Sequence, residues 1–156
     1  MSTEISLFVP FEATLEVRDA CLCLHVQRAA RALARRFDEA LRPVGLTNGQ
    51  FSLLMSLNRP KPAAMKQVSE LLAMDRTTLT AALKPLERQG LLVVSHNPAD
   101  RRSRLLSLTE KGRGVLAQAV PIWRAVHGAI EADLLEPDAL RAGLMALSQV
   151  DEAPET

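Results

Sequence analysis

Arg76, Thr77, Thr78, Thr80 and Lys84 are small or basic, and they are interleaved with Leu79, Leu83 and Leu86 at helical spacing. A helix starting at Arg76 would bury the leucines and present the other five on its opposite face and at its N-terminal end. Side chains of these types at the start of a helix can reach base edges in a major groove without bulk. A second group follows: Arg101, Arg102 and Arg104, with Asp100 beside them. Between Arg76 and Arg104, six cations (Arg76, Lys84, Arg88, Arg101, Arg102, Arg104) face Glu87 and Asp100, a local +4 in a chain of net charge +1. Positive charge gathered this way suits a phosphate backbone.

The neighbouring elements must hold these groups in place. Asp75 is a good N-cap, its carboxylate able to accept from free N–H groups one turn on. Ahead of it, Val68, Leu71 and Leu72 give a short helix one apolar face, with Lys66, Gln67, Ser69 and Glu70 in water. Ala73-Met74-Asp75 breaks the pattern between the two helices. Pro85 removes one backbone bond and crowds the carbonyl of Ala81, at about 3 kcal/mol in an ideal helix, so a kink or break is expected near residues 81–84. Gln89-Gly90 closes the helix, with Gly90 at the left-handed position. Strands are expected at 91–95 and 104–108, joined by the turn-forming Asn97-Pro98-Ala99-Asp100. Two short helices followed by a basic hairpin read as a winged helix-turn-helix.

The chain has 156 residues, 47% hydrophobic and 24% charged, which fits one globular domain with a real core. No apolar run approaches the ~20 residues of a membrane span and no signal peptide is evident, so a cytoplasmic location and no membrane partner are expected. Residues 1–13 lack helical period and read as an arm. Residues 14–41 read as one long helix with an apolar stripe of Leu22, Val26, Ala29, Leu33, Phe37 and Ala40, and with Arg28, Arg31, Arg35 and Arg42 clustered opposite. Pro43 and Gly45 end it. Thr47 and Gln50 form a capping box for a helix carrying Phe51, Leu53, Leu54, Met55 and Leu57. Arg59-Pro60-Lys61-Pro62 is a stiff connector. After the hairpin, Thr109 caps a helix running through Trp123 to Ile130 with a bend at Pro121, and Pro137 opens a last helix over 139–150. Glu131, Asp133, Glu136, Asp138, Asp151, Glu152 and Glu155 oppose only Arg141 after residue 130, so that end should face away from a polyanion. Long helices at both ends expose apolar faces that a second copy would cover economically.

The hairpin tip Asp100-Arg101-Arg102, followed by a strand and then Leu108-Thr109 at a helix start, resembles the MarR (multiple antibiotic resistance regulator) family of bacterial transcription factors, and the order of elements resembles that family over nearly the whole chain. The resemblance implies a mainly α fold with a small antiparallel β-wing: a winged helix-turn-helix lobe (47–108) flanked by dimerisation helices (14–42 and 109–150) in one domain spanning 1–156. It implies a sequence-specific DNA-binding regulator, a repressor acting as a homodimer on a pseudo-palindromic operator in double-stranded DNA. Arg76, Thr77, Thr78, Thr80 and Lys84 would contact the major groove. Arg101, Arg102 and Arg104 would serve the wing, Arg102 entering the minor groove and Asp100 holding it by a charge-assisted hydrogen bond.

Two modes of control follow from the resemblance. A small aromatic or phenolic effector could be held by His25, Arg28, Phe51, Met55 and Trp123. Alternatively a cysteine in the first helix could sense oxidants, and counting back from Gly45-Leu46-Thr47 puts Cys23 at that place. Cys21 and Cys23 are the only thiols; two residues apart on a helix they point roughly 200° from each other. Cys23 borders the apolar stripe and should be buried, whereas Cys21 lies nearer His25 and Arg28, a basic setting that favours a reactive thiol. The peroxide-sensing branch activates its cysteine with tyrosines, and this chain has none, so the small-molecule mode leads. A third alternative is a winged-helix module that binds only another protein; the arginines at the wing tip speak against it. Scattered histidines (His25, His96, His127) and the lack of a nucleophile elbow, a phosphate loop or ligand-spaced cysteine clusters point away from an enzyme and imply no metal site and no cofactor.

Overall fold

The computed structural model describes residues 8–149. Of the expected arm, only residues from Phe8 on fall within it; Val150, Asp151, Glu152 and Glu155 lie outside the described residues. Helices α1 (Phe11–Ala20) and α2 (Leu22–Leu41) are followed by a 3-10 turn (Arg42–Val44), α3 (Asn48–Ser56), β1 (Ala63–Ala64), α4 (Met65–Leu72), α5 (Arg76–Arg88), β2 (Leu92–Asn97), β3 (Asp100–Leu108), α6 (Glu110–Ala132) and α7 (Pro137–Ser148). Chain contacts gather into two compact units, Met1–Arg36 and Phe37–Thr156.

In the first unit the single long helix expected over 14–41 is two helices, and the first begins at Phe11. The break is confined to Cys21, whose ψ of 108° leaves the helical region while its N–H still bonds the Val17 carbonyl. The Cys21 thiol stands at the N-cap position of α2, with the Leu24 N–H 3.5 Å from Sγ. A one-residue break leaves the apolar period almost in phase, which is why periodicity does not report it. Leu22, Val26 and Leu33 of the stripe are exposed.

The second unit holds the core. Leu41, Leu54, Val68, Leu79, Leu86, Leu92 and Leu106 are fully buried, drawn from α2, α3, α4, α5 and the two long strands. Gly45 takes φ 72° after the 3-10 turn, and the Thr47–Gln50 capping box starts α3 as expected. In α4 the inward stripe is Met65, Val68 and Leu72; Leu71, expected on that face, is 63% exposed, because it lies at the edge of an arc already filled by the other three. Ala73, at φ 50°, turns the chain sharply into α5.

Helix α5 runs unbroken from Arg76 to Arg88 with Pro85 inside it, so of the kink or break expected near 81–84 the break does not occur. Pro85 falls in the last turns and Ala81 is exposed, where water can serve its freed carbonyl. The sheet is antiparallel in the order β1-β3-β2. β1, two alanines with no strand pattern of their own, pairs Ala63 with Leu106 and Ala64 with Leu105, an edge position that completes the backbone bonding of β3. The hairpin is tighter than expected: β2 extends to Asn97, β3 starts at Asp100, and Pro98-Ala99 alone forms the turn.

The start of α6 fits closely against the end of α5. Thr109 Oγ1 donates to the Gly90 carbonyl at 2.5 Å and accepts from the Gly112 N–H at 3.0 Å. A Cβ at Gly112 would lie 2.0 Å from the Leu91 carbonyl oxygen, so only glycine fits without moving backbone. Gly112→Ala is therefore expected to lose at least the upper end of the roughly 1–3 kcal/mol typical of overpacking, read as a lower urea midpoint; a midpoint equal to the parent's would show that the seam is not tight.

Candidate nucleic-acid interface

Asp75 sets the start of α5. Its carboxylate accepts from the Thr78 N–H at 2.8 Å and from the Thr78 hydroxyl at 2.6 Å. The Thr80 hydroxyl donates back to the Arg76 carbonyl at 2.8 Å. Arg76, Thr77, Thr78, Thr80 and Lys84 are all exposed, as a face that is to meet another molecule must be.

The wing lies beside that helix start. Arg76 Nη2 reaches the Arg102 carbonyl at 3.4 Å, and Arg76, Asp100 and Arg102 line one hollow of about 550 Å³ together with Lys66, Ser69 and Ser103. Asp100 Oδ1 accepts from the Arg102 backbone N–H at 2.9 Å; it fixes the backbone under Arg102 rather than pairing with the guanidinium as expected. The difference follows from the tight turn, which brings the amide two residues on within reach of the carboxylate. The Arg102 and Arg101 side chains have no partner among the described residues. Arg104 bonds the His96 ring across the hairpin, where the two are register partners. Lys66, expected only to stay in water, joins the basic cluster; its place at the start of α4 was the available signal.

Three of the residues named for an effector come together in the second unit. Phe51, Met55 and Trp123 line a hollow of about 460 Å³ with Ser52, Leu71 and Arg124, and the Phe51 and Trp123 rings stack at 6.3 Å. Trp123 also stacks on His127 at 4.6 Å. In the first unit His25 and Arg28 line a trough on α2. Arg124, the one cation of the aromatic hollow, is not evident in the sequence because it sits between apolar positions with no motif around it. Cys23, expected to be buried, is exposed, and Cys21 is half-buried; Gln27 Nε2 donates to Cys23 Sγ at 3.2 Å.

Two helices meeting at a sharp turn, with a basic hairpin beside the second, define a winged helix-turn-helix, a DNA-binding class. The comparisons agree with that geometry. A model of the MarR family matches residues 46–103. The organic hydroperoxide resistance transcriptional regulator of Bacillus subtilis (strain 168) is 32% identical over 107 residues, 69% of this chain and 73% of that protein. Among solved structures, the M. tuberculosis transcriptional regulator MosR bound to DNA is 38% identical with a TM-score of 0.77, over 83% of this chain and 94% of that one. The transcriptional repressor CouR bound to a 23-mer DNA duplex is 32% identical with a TM-score of 0.70, over 86% and 94%. The chain belongs to the MarR family of DNA-binding transcriptional regulators. No helix among the described residues is long and apolar enough to cross a membrane.

The Asp75 carboxyl is held below the ordinary range first by the Thr78 hydroxyl and then by the Thr78 backbone N–H, both of which donate to its charged form. A lowered folded-state value means that the cap's contribution is present above about pH 4 and is lost as pH falls through the folded-state value. Asn caps helices as well as Asp but does not titrate. The urea midpoint of Asp75→Asn should therefore fall less than the parent's between about pH 5 and pH 3; equal falls would remove Asp75 from the acid response.

Proposed function

We propose that this protein is a cytoplasmic, homodimeric repressor that binds a pseudo-palindromic operator and is released by a small aromatic or phenolic effector. The observation that carries the reading is the convergence of Arg76 at the α5 N-terminus with Arg102 at the wing, both exposed and joined through the Arg102 carbonyl. On this reading Arg76, Thr77, Thr78, Thr80 and Lys84 contact bases and phosphates of the major groove. Arg101, Arg102 and Arg104 serve the wing, and Asp100 shapes its backbone. The exposed Leu22, Val26 and Leu33 of α2, and separately Leu140, Leu144 and Leu147 of α7, are the apolar faces that a second copy would cover.

The effector would sit in the hollow of Phe51, Met55 and Trp123, where stacked rings suit an aromatic body and Arg124 suits an acidic or phenolic group.

A second reading, a thiol-based redox switch, is favoured by the exposure of Cys23 and by the Gln27 amide on its sulfur. A hydroperoxide would transfer one oxygen to the Cys23 thiolate, giving a sulfenic acid and leaving an alcohol. Cys21, as the cap of α2, would couple oxidation to the joint between α1 and α2.

Binding to the chain's own upstream DNA, measured by footprinting and gel shift in a salt series, tests the main reading. A protected palindrome is expected. Arg102→Ala should weaken operator binding by roughly tenfold or more and reduce the salt slope by about 1; unchanged affinity would remove Arg102 from the interface. Release by peroxide that vanishes in Cys23→Ser would select the redox reading over the small-molecule one.

A further inference from the structure

Between residues 28 and 36, α2 carries Arg28, Arg31, Arg35 and Arg36 and no acid. His25, Arg28, Arg31 and Arg35 follow one another at steps of three, three and four, so they share one face of the helix, and all four are exposed. Ala29 and Ala32 keep the space between them open, leaving a trough of about 530 Å³.

Among the described residues these arginines have no carboxylate to answer them. Asp38 is engaged by the Asn48 backbone N–H at 2.7 Å and its side-chain amide at 2.8 Å, Glu39 pairs with Arg42, and Asp19 is held by Arg18 at 2.6 Å. The guanidiniums of Arg28, Arg31 and Arg35 have no partner among the described residues. His25 Nδ1 lies 2.8 Å from the Cys21 carbonyl, which fixes the ring at one end of the row. Like charges three or four residues apart destabilise a helix by a few tenths of a kcal/mol per pair, so the row is unfavourable in the isolated chain and becomes favourable only against negative charge.

The form of the row selects the partner. It is open and one-sided, so each guanidinium remains hydrated and pairing with one compact anion is worth little. From Arg28 to Arg35 it extends about 10 Å along the helix axis. Duplex DNA carries one phosphate charge per roughly 1.7 Å of its axis and releases condensed counterions for each phosphate neutralised, a gain that an extended row can collect several times.

We propose that the Arg28–Arg31–Arg35 face of α2 binds the phosphate backbone of duplex DNA, in addition to the contacts of α5 and the wing. The proposal rests on the operator-binding reading above. It assigns the face a charge contact without base recognition, so arginine is needed there only as a cation.

The test is the salt dependence of operator binding by the full chain carrying Arg28→Ala, Arg31→Ala and Arg35→Ala together. The log–log slope should become shallower by about 0.9 for each phosphate no longer neutralised, while the preference for operator over scrambled duplex stays at the parent's ratio. The three Arg→Lys changes should restore the slope, which a merely structural role would not produce. Alanine favours helix, and if the triple variant nevertheless loses its circular dichroism, three Arg→Gln changes provide the same readout. A parental slope in the Ala or Gln variant, alongside a reduced slope for Arg102→Ala in the same series, would overturn the proposal and leave the operator reading intact. A parent chain that prefers no duplex over scrambled DNA would overturn both.

Discussion

The carbonyl of Leu91 is the point on which the winged helix-turn-helix of this molecule depends. It accepts from the Thr109 N–H at 3.1 Å, and Gly112 lies so close beneath it that no side chain fits. Around it, Thr109 Oγ1 holds the Gly90 carbonyl and Lys111 Nζ donates to the Gln89 carbonyl at 2.8 Å. The carbonyls of Gln89, Gly90 and Leu91, just past the end of α5, are thus met by the start of α6, while Leu92 begins the wing one residue further on. The exit of α5, the root of the wing and the start of α6 share one joint, and the angle between α5 and the wing is set there rather than at the exposed tip.

Such a joint lets the tip be sparse. Beyond Val94 the wing carries little apolar burial, and it is shaped by polar side chains acting on backbone: Asn97 on the Ala99 N–H and Asp100 on the Arg102 N–H. Committing Asp100 to the backbone leaves the Arg102 guanidinium free of an ion pair, so it does not have to break one before meeting a phosphate or a groove. Asp75 is committed in the same way, its carboxylate occupied by Thr78 and its charge set against the positive N-terminal end of α5.

What was legible in the sequence is what local chemistry decides. Thr47, Asp75 and Thr109 each cap the helix that they were expected to cap, because an N-cap needs only a side-chain oxygen and the amides one turn on. Gly45 and Gly90 take positive φ for the same local reason. The features that escaped depend on partners distant in sequence. β1 is a strand because β3 offers it an edge, and two alanines cannot announce that. Leu71 is apolar and exposed because the packed arc of α4 is already full, and periodicity cannot see how wide that arc is. The break at Cys21 is local, yet it keeps the helical phase and therefore left no mark on the pattern. In the site, the cations were legible by charge and position, but the hollow that joins Phe51 and Met55 of α3 to Trp123 and Arg124 of α6 is decided by the tertiary fold.

The joint at Leu91 also bounds how a ligand could act. The aromatic hollow draws Phe51 and Met55 from α3, Leu71 from α4, and Trp123 and Arg124 from α6, while α6 is the helix that roots at Leu91. A ligand can shift DNA affinity only by the difference between its own affinities for the two conformations, and a move from nearly all bound to nearly all released requires a difference of roughly 10⁴-fold. Filling a preformed hollow equally well in both would change nothing. The two walls are anchored differently: Leu71 is exposed on the short helix α4, which is joined to α5 through the positive-φ turn at Ala73, whereas α6 is held at its start by the seam. A displacement at Leu71 would therefore be passed to the start of α5 through the short connection Ala73-Met74-Asp75, and the physical content of effector specificity on this reading is how far a bound ring pushes α4 away from Trp123.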